Sequence, residues 1–251
     1  MAIIFEDGFE SGDISAFDGK REAAGGVVTV EQIAPAFGNY HMVGTIPPGE
    51  THGRACVYKS VNLPICYARA YINIVDLPDS SRGFTLISFV RPDGATPGVV
   101  RVRDEAFEVV WQDSARGYHS QMSSVPLERG RYYLLELMSK PGAGDGELKL
   151  YIDEKEVLSL TGLDSGSGPI TEVRFGAVIL INAGGATVYA DQCAIGDSYI
   201  GRYSPLPELI GPLGIWTFPL ATWLGTMFPR VTETLSRVLE NIKSRFGQAG
   251  A

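Results

Sequence analysis

The sequence predicts an all-β fold, either a two-sheet antiparallel sandwich or a barrel, and three observations support this. Short segments rich in Val, Ile, Tyr and Phe recur from residue 2 to about residue 201, bounded by Gly, Pro, Asp and Ser. No convincing helical periodicity interrupts them. The 30 Gly and 15 Pro are scattered between the segments, as turns would be. With 251 residues, 45% of them apolar, the chain can bury a sizeable core, which excludes wholesale disorder.

Fourteen segments are predicted as strands, because each is short, apolar and flanked by turn residues. In chain order they are Ile3–Glu6, Val27–Ile33, Tyr40–Ile46, Arg54–Val61, Tyr67–Val75, Phe84–Val90, Val99–Arg103, Ala106–Gln112, Tyr118–Met122, Tyr132–Met138, Glu147–Ile152, Glu156–Leu160, Thr171–Ile181 and Ala186–Ile195.

Alternation within the strands predicts which side chains face the core. One such set comprises Ala68, Ala70, Ile72 and Ile74, and another comprises Leu148, Leu150 and Ile152. Segment 131–138 is apolar on both faces, so we expect it to be a central strand.

The character of the chain changes near Pro205, which divides it into a predicted sandwich domain, 1–204, and a C-terminal docking or oligomerisation extension, 205–251. Leu209–Phe228 carries no charge over 20 residues, long enough to cross a bilayer, but Gly and Pro interrupt it repeatedly. Packing against protein is therefore favoured over a membrane span. An amphipathic helix is predicted after Pro229. The predicted docking residues are Trp216, Phe218, Trp223, Met227, Phe228, Leu235, Leu239 and Ile242.

Charge and cysteine content exclude several classes of protein. The chain has 21 basic and 29 acidic residues, a net charge of −8, which argues against binding nucleic acid. Its three cysteines occur in no metal-ligand spacing, so neither a disulfide framework nor a structural zinc is predicted. The acidic N-terminal segment lacks the pattern of a signal peptide, so we expect synthesis in the cytosol without export by that route.

Five segments, taken in order, resemble the concanavalin A-like, laminin-G-like jelly-roll superfamily, with its virion-protein, lectin and lyase-like branches. They are the acidic opening Phe5–Ser15, Arg129–Leu137, Leu148–Asp153, Val173–Gly176 and Val188–Asp191. The resemblance covers residues 1–201 and implies an antiparallel two-sheet jelly-roll sandwich. Because lectins, glycanases, lyases and virion proteins share this fold, the fold does not decide the function.

The resemblance also implies a calcium site. In related sandwiches the acidic first turn and the closing strand share a structural Ca²⁺, which places Glu10, Asp13 and Asp191 as ligands here. Ala190 stands where a second Asp is usual, so one ligand is missing. The alternative is an acidic turn in which Asp13 accepts hydrogen bonds from backbone N–H groups.

No catalytic constellation is evident in the sequence. Glycanases of this fold use carboxylates closely spaced on one strand face, and no such run is present. A lyase needs a base such as Tyr or His beside Arg or Lys, and only Arg116, Tyr118 and His119 are grouped in this way. Adjacent strand residues point to opposite faces. The sequence therefore predicts no enzyme activity.

A sugar-binding face is an alternative, since aromatic rings stack on pyranose C–H groups while polar side chains bind hydroxyls. The candidate residues are Tyr67, Arg69, Tyr71 and Asn73, with Arg101 and Arg103 expected on a neighbouring strand. Ordinary cross-strand pairing on a solvated sheet explains the same pattern.

These observations predict a non-catalytic structural or adhesion protein of a larger assembly, most simply a virion component such as a capsid decoration, head-fibre or tail protein. The uncharged aromatic segment is the reason, because soluble monomers rarely expose such a patch. The expected partners are further copies of the chain or another structural protein. A carbohydrate-binding module and a polysaccharide lyase or hydrolase are the alternatives.

Overall fold

The computed structural model describes residues 2–49, 52–76, 83–180 and 184–204. Met1–Arg202 form one compact unit. The strands, in chain order, are β1 (Ile3–Asp7), β2 (Gly19–Ala23), β3 (Val27–Glu31), β4 (His41–Ile46), β5 (Arg54–Leu63), β6 (Cys66–Asp76), β7 (Phe84–Val90), β8 (Gly98–Arg103), β9 (Ala106–Gln112), β10 (Tyr118–Pro126), β11 (Tyr132–Lys140), β12 (Ala143–Ile152), β13 (Lys155–Asp164), β14 (Ile170–Leu180) and β15 (Ala186–Gly196).

The strands form two antiparallel sheets, which confirms the predicted all-β fold class. An eight-stranded sheet has the order β13-β12-β11-β6-β15-β4-β3, with β1 paired to β15. A seven-stranded sheet has the order β10-β9-β8-β7-β14-β5-β2. Many neighbouring strands are distant in the chain, as in the β6–β15 and β5–β14 pairs.

The core lies between the two sheets and follows the predicted alternation. Ala68, Ala70, Ile72 and Ile74 of β6 and Leu148, Leu150 and Ile152 of β12 are all buried in it. Strand β11 pairs with β6 on one side and β12 on the other, which confirms its central position. Leu134 and Met138 lie on the face of β11 away from the core and are also buried, which explains why both faces of this strand are apolar.

The two sheets come into close backbone contact at Gly44 of β4. A Cβ atom at this position would lie 2.4 Å from the carbonyl oxygen of Ala55 on β5, in the other sheet. Because that contact is with backbone, no side-chain rotation can relieve it. Only glycine is accommodated here without moving a strand.

The structure differs from the predicted strands at β2, which the sequence did not reveal. This edge strand, Gly-Lys-Arg-Glu-Ala, pairs with β5 and with no other strand in the described ranges, and it lacks apolar alternation. Charged residues are typical of edge strands, since they discourage pairing with other chains.

The extension predicted for residues 205–251, with its docking residues and amphipathic helix, lies outside the described residues. In the part of the chain that the structure describes, no helix is long and apolar enough to cross a membrane.

Candidate functional site

The outer face of the seven-stranded sheet carries an unusual concentration of arginine. Ala55 and Val57 of β5, and Val173 and Phe175 of β14, point into the core. Their alternate neighbours therefore point outward. The cross-strand register places Arg174 directly opposite Tyr58 on β5 and Ser88 on β7, so these side chains lie side by side at the centre of the sheet.

A first arginine–glutamate–arginine cluster forms around Glu172. Arg21 of β2 donates to both carboxylate oxygens, from Nε at 3.1 Å and from Nη2 at 2.5 Å. Arg174 donates from Nε at 2.5 Å. Burial alone would raise the pKa of Glu172, but the hydrogen bonds from both guanidinium groups outweigh it and lower that pKa. Glu172 is therefore ionised at neutral pH.

A second cluster of the same composition lies across the sheet on β8 and β9. Arg101 donates from Nε to Glu108 at 2.5 Å, and the Nη1 atom of Arg103 lies 3.5 Å from the same carboxylate. Glu108 is fully buried beneath these arginines. Glu108 therefore holds Arg101 closely, whereas Arg103 is shared between Glu108 and Asp104, to which its Nε donates at 3.3 Å.

We call the group Arg21, Arg54, Arg101, Arg103, Arg174, Glu108 and Glu172 the arginine face. Arg54 belongs to it because it directly precedes the core residue Ala55 on β5 and therefore points outward. Burial raises the pKa of the Cys56 thiol, and the positive charges of Arg174, Arg21 and Arg54 oppose that rise. Five arginines against the two glutamates and Asp104, which pairs with Arg103 at 3.3 Å, leave an excess of two positive charges on this face. The whole protein has a net charge of −8. Positive charge is thus gathered locally against the overall balance.

Tyr58 lies within the first cluster. The guanidinium carbon of Arg21 is 4.5 Å from the centre of its ring, and Arg174 is its cross-strand neighbour. Among the described residues, none forms a hydrogen bond with the Tyr58 hydroxyl, and none accepts from the Nη groups of Arg174. A ligand at this point meets an unpaired hydroxyl on a ring that the Arg21 guanidinium group covers, with Arg174 on the neighbouring strand.

Such an arrangement suits an anionic sugar polymer. Guanidinium groups bind carboxylates through paired N–H donors, and here they are pre-positioned by Glu172 and Glu108. A positioned tyrosine hydroxyl can transfer a proton. The face therefore has the elements needed to bind a uronate carboxylate and to move a proton beside it.

The six residues predicted as a sugar face do not form one face, which corrects that expectation. Tyr67, Arg69, Tyr71 and Asn73 lie on β6 in the eight-stranded sheet, whereas Arg101 and Arg103 lie on β8 in the other sheet. The two arginines are part of the arginine face. Adjacency of strands in space cannot be deduced from a short-range pattern, which is why the grouping failed.

Arg69 has a structural role that its outward position did not predict. Its guanidinium group is fully buried and donates to Glu6 of β1 at 2.5 Å, to the Gln192 carbonyl at 3.1 Å and to the Gly201 carbonyl at 3.3 Å. Glu136, its neighbour on β11, accepts from the backbone N–H groups of Ile200 and Gly201. The pair fastens β1 and residues 200–201 to the sheet.

The predicted calcium ligands are each occupied by hydrogen-bond donors. Glu10 accepts from the backbone N–H groups of Asn39 and Tyr40, and Asp191 accepts from that of Phe37 at 2.9 Å. Asp13 accepts from Ser11 and Ser15 within its own turn. Within the described residues, no three His, Cys, Asp or Glu side chains form a group that could hold a metal ion. The calcium site gains no support from this geometry and stays a prediction.

The other grouping found in the sequence is also divided. Tyr118 pairs with Gln112 and is 72% exposed, while His119 pairs with Trp111 and stacks on its ring. The His119 Nε2 atom lies 2.8 Å from Asp113, and Arg116 is bound to Asp93 instead. These residues form no joint site.

The sequence contained part of the signal for the arginine face. Alternation in Arg54–Val61 and in residues 171–177 marks Tyr58, Glu172 and Arg174 as outward-facing. What it lacks is the pairing of β5 with β14, which joins residues more than a hundred positions apart. Arg21 was missed because β2 itself was missed.

Comparison with known proteins identifies the fold. No family model matches the sequence, and no curated protein matches it either. Among solved structures, endo-β-1,4-glucuronan lyase from the fungus Trichoderma reesei is similar, with a TM-score of 0.65 and 13% identity over 78% of this chain and 96% of that one. The cellulose-induced protein Cip1 gives 0.64 and 17% over 79% of this chain and 100% of that one. The receptor-binding domain of botulinum neurotoxin type G gives 0.53 and 12% over 78% of this chain and 47% of that one.

The chain has the concanavalin A-like jelly-roll sandwich fold, as its resemblance implied. The prediction of a non-catalytic virion component is wrong. Two structures that are similar over nearly their whole length are a polysaccharide lyase and a cellulose-induced protein, and neither points to a virion. The prediction that the chain is not an enzyme is corrected on the same ground.

Proposed function

We propose that the protein is a polysaccharide lyase that cleaves a uronate-containing polysaccharide on the arginine face. The observation that carries this proposal is the unpaired hydroxyl of Tyr58, whose ring is covered by Arg21 and whose cross-strand neighbour is Arg174, within a face that has two excess positive charges. The similarity in fold to a glucuronan lyase supports the same class of substrate.

The proposed reaction is a β-elimination that needs no further reactant. The proton on the carbon beside the uronate carboxylate is removed, its electron pair forms a carbon–carbon double bond, and the bond from the neighbouring carbon to the glycosidic oxygen breaks. The released oxygen then takes a proton. One polymer chain thus becomes two, and the new non-reducing end carries an unsaturated uronate.

Each residue has a distinct part in this reaction. Arg174, through its Nη groups, and Arg21 bind the uronate carboxylate and stabilise the negative charge that develops on it as the proton leaves. Tyr58, as a phenolate, takes the proton from the carbon beside the uronate carboxylate and then returns it, as a hydroxyl, to the released glycosidic oxygen. Arg101 and Arg103, on the other side of the sheet, bind a carboxylate of a neighbouring sugar unit. Glu172 and Glu108 position the arginines and touch no substrate.

The test is the ultraviolet absorbance of the unsaturated product after incubation with glucuronan, alginate or polygalacturonate. We expect the wild type to produce it from at least one polymer. Tyr58→Phe and Arg174→Ala should lower the rate about a hundredfold or more, in the range of general acid–base and charge-stabilising groups.

Arg129→Ala is the matched control, because Arg129 is an exposed arginine that pairs with Glu105 outside the arginine face. It should leave the rate unchanged. Absence of unsaturated product from all three polymers, or equal rates in Tyr58→Phe and the wild type, would overturn the proposal.

A further inference from the structure

A cleft of about 490 Å³ lies on the outer face of the eight-stranded sheet, on the other side of the sandwich from the arginine face. Tyr71 of β6 and Tyr132 and Leu134 of β11 form its floor. Phe37 lines one wall together with Pro35 and Ala36, and Asp153 and Arg202 complete the lining. Its volume falls in the range of small-molecule sites, which is about 300–1,000 Å³.

The Phe37 wall is fixed in place by two carboxylates. Asp191, fully buried on β15, accepts the Phe37 N–H at 2.9 Å. Glu10 accepts the N–H groups of Asn39, at 2.9 Å, and Tyr40, at 3.2 Å. Residues 37–40 are therefore held at both ends of the turn. A wall that is already in position does not have to be ordered when a ligand binds.

The aromatic rings of the cleft are also held. Phe37 and Tyr71 make an edge-to-face contact with ring centres 4.7 Å apart. The hydroxyl of Tyr132 donates to the Ala34 carbonyl at 3.1 Å. The cleft thus presents rigid aromatic surfaces, which suit the C–H faces of a sugar ring.

Polar groups accompany the rings. The Asp153 carboxylate accepts from the Leu134 N–H and pairs with Arg131, and each oxygen retains a further acceptor position. Arg202 pairs with Glu154 at 2.8 Å and has N–H groups to spare. Asn73 lies on the same face, opposite Tyr132, and its buried carbonyl oxygen has no donor among the described residues.

The charges of the cleft cancel, unlike those of the arginine face. One carboxylate, Asp153, and one guanidinium group, Arg202, are its only charged lining residues within the described part of the chain. An anionic sugar would gain little from this pair, whereas neutral hydroxyls can both donate to the carboxylate and accept from the guanidinium group.

We propose that this cleft is a second carbohydrate site, which binds a neutral pyranose ring stacked against Tyr132, with its hydroxyls on Asp153 and Arg202, while the largely buried Tyr71 supports the Phe37 wall. It is separate from the proposed catalytic face and does not depend on it. A lyase with such a site would hold a neutral glycan while it acts on an acidic one.

Saturation-transfer NMR on the full-length protein with the methyl glycosides of glucose, galactose, mannose and N-acetylglucosamine tests the site. At least one glycoside should receive saturation. Tyr132→Ala and Arg202→Ala should each weaken its affinity about tenfold or more, because a stacked ring and a charged hydrogen bond are worth at least that factor.

Arg202→Ala keeps the test valid if Tyr132→Ala fails to fold, because Arg202 is an exposed residue outside the strands and its loss should leave the fold intact. Tyr118→Ala, an exposed tyrosine on the seven-stranded sheet, is the control and should bind as the wild type does. Absence of saturation with all four glycosides, or unchanged affinity in both variants, would overturn the proposal. Lyase activity should persist in both variants, so the two proposals fail separately.

Discussion

At the scale of single residues, two carboxylates show how their partners decide their protonation. Glu172 and Asp191 are both withdrawn from solvent. Glu172 is bound by two guanidinium groups, so its pKa is lowered. Asp191 accepts only from backbone N–H groups, so burial prevails and raises its pKa to about 6. The contributions of the two residues to the free energy of unfolding therefore change in opposite directions as pH rises.

Asp191→Asn should reveal the cost of this buried charge. Because the folded pKa lies above the unfolded one, the native state binds the proton more tightly, and stability is lost as pH rises from about 4 to about 6. The neutral amide has no such loss. Relative to the wild type, the free energy of unfolding of Asp191→Asn should rise by on the order of 3 kcal/mol between pH 4 and pH 7. Urea titrations at the two pH values measure it, and a constant difference would contradict this account.

Glu172→Gln should show the opposite dependence. Since the folded pKa of Glu172 is lowered, its ion pairs stabilise the protein above the unfolded pKa and are lost as pH falls through the folded one. At pH 7 the substitution should cost about 2 kcal/mol, as expected for hydrogen bonds to a charged group. In urea unfolding this cost should shrink below pH 4. A cost that stayed the same at low pH would show that the ion pairs do not contribute.

At the scale of elements, Gly44 controls the spacing between β4 and β5. Gly44→Ala would place its methyl group 2.4 Å from the Ala55 carbonyl oxygen and force one strand to move. We expect a loss of about 3 kcal/mol, the cost of overpacking a tight core, measured by urea unfolding. Thr45→Ala, at the next, exposed position of β4, is the control and should cost much less. Equal stability of Gly44→Ala and the wild type would show that the sheets separate freely.

The strands show how far the sequence determines the fold. Alternation predicted the core-facing side of β6, Ala68 to Ile74, because that pattern is local. It did not predict that Arg69 and Tyr71, on the other side, are buried as well. Residues 200–201 and the loop containing Phe37 account for this, as they contact β6 from more than thirty positions away in the chain. Such contacts leave no periodic signal.

At the scale of the molecule, the net charge of −8 conceals a basic face. The composition showed correctly that the chain has no net positive charge. It could not show that the fold brings five arginines to one face, namely Arg21, Arg54, Arg101, Arg103 and Arg174. The proposed acidic substrate is therefore attracted locally by a protein that repels it at long range. The sequence alone could not show this, since the five arginines lie on four separate strands, β2, β5, β8 and β14, whose pairing it does not reveal.

This charge distribution predicts a strong salt dependence of polyuronate binding. Raising the ionic strength from ~0.1 M to ~1 M shortens the Debye length from about 10 Å to about 3 Å, which screens partly exposed arginines such as Arg21 and Arg103. Affinity for glucuronan, measured by calorimetry, should fall about tenfold or more, while affinity for a neutral methyl glycoside should change little. Salt-independent binding of glucuronan would contradict the placement of its site on the arginine face.

The mass of the products tests the central proposal most directly. Elimination adds no water, so oligosaccharides released from glucuronan by the full-length protein should be one water lighter than hydrolysis products of the same length, as measured by mass spectrometry. Tyr58→Phe should release almost none. Products that carry the added water, or an unchanged glucuronan chain after prolonged incubation together with unchanged alginate and polygalacturonate, would contradict the account.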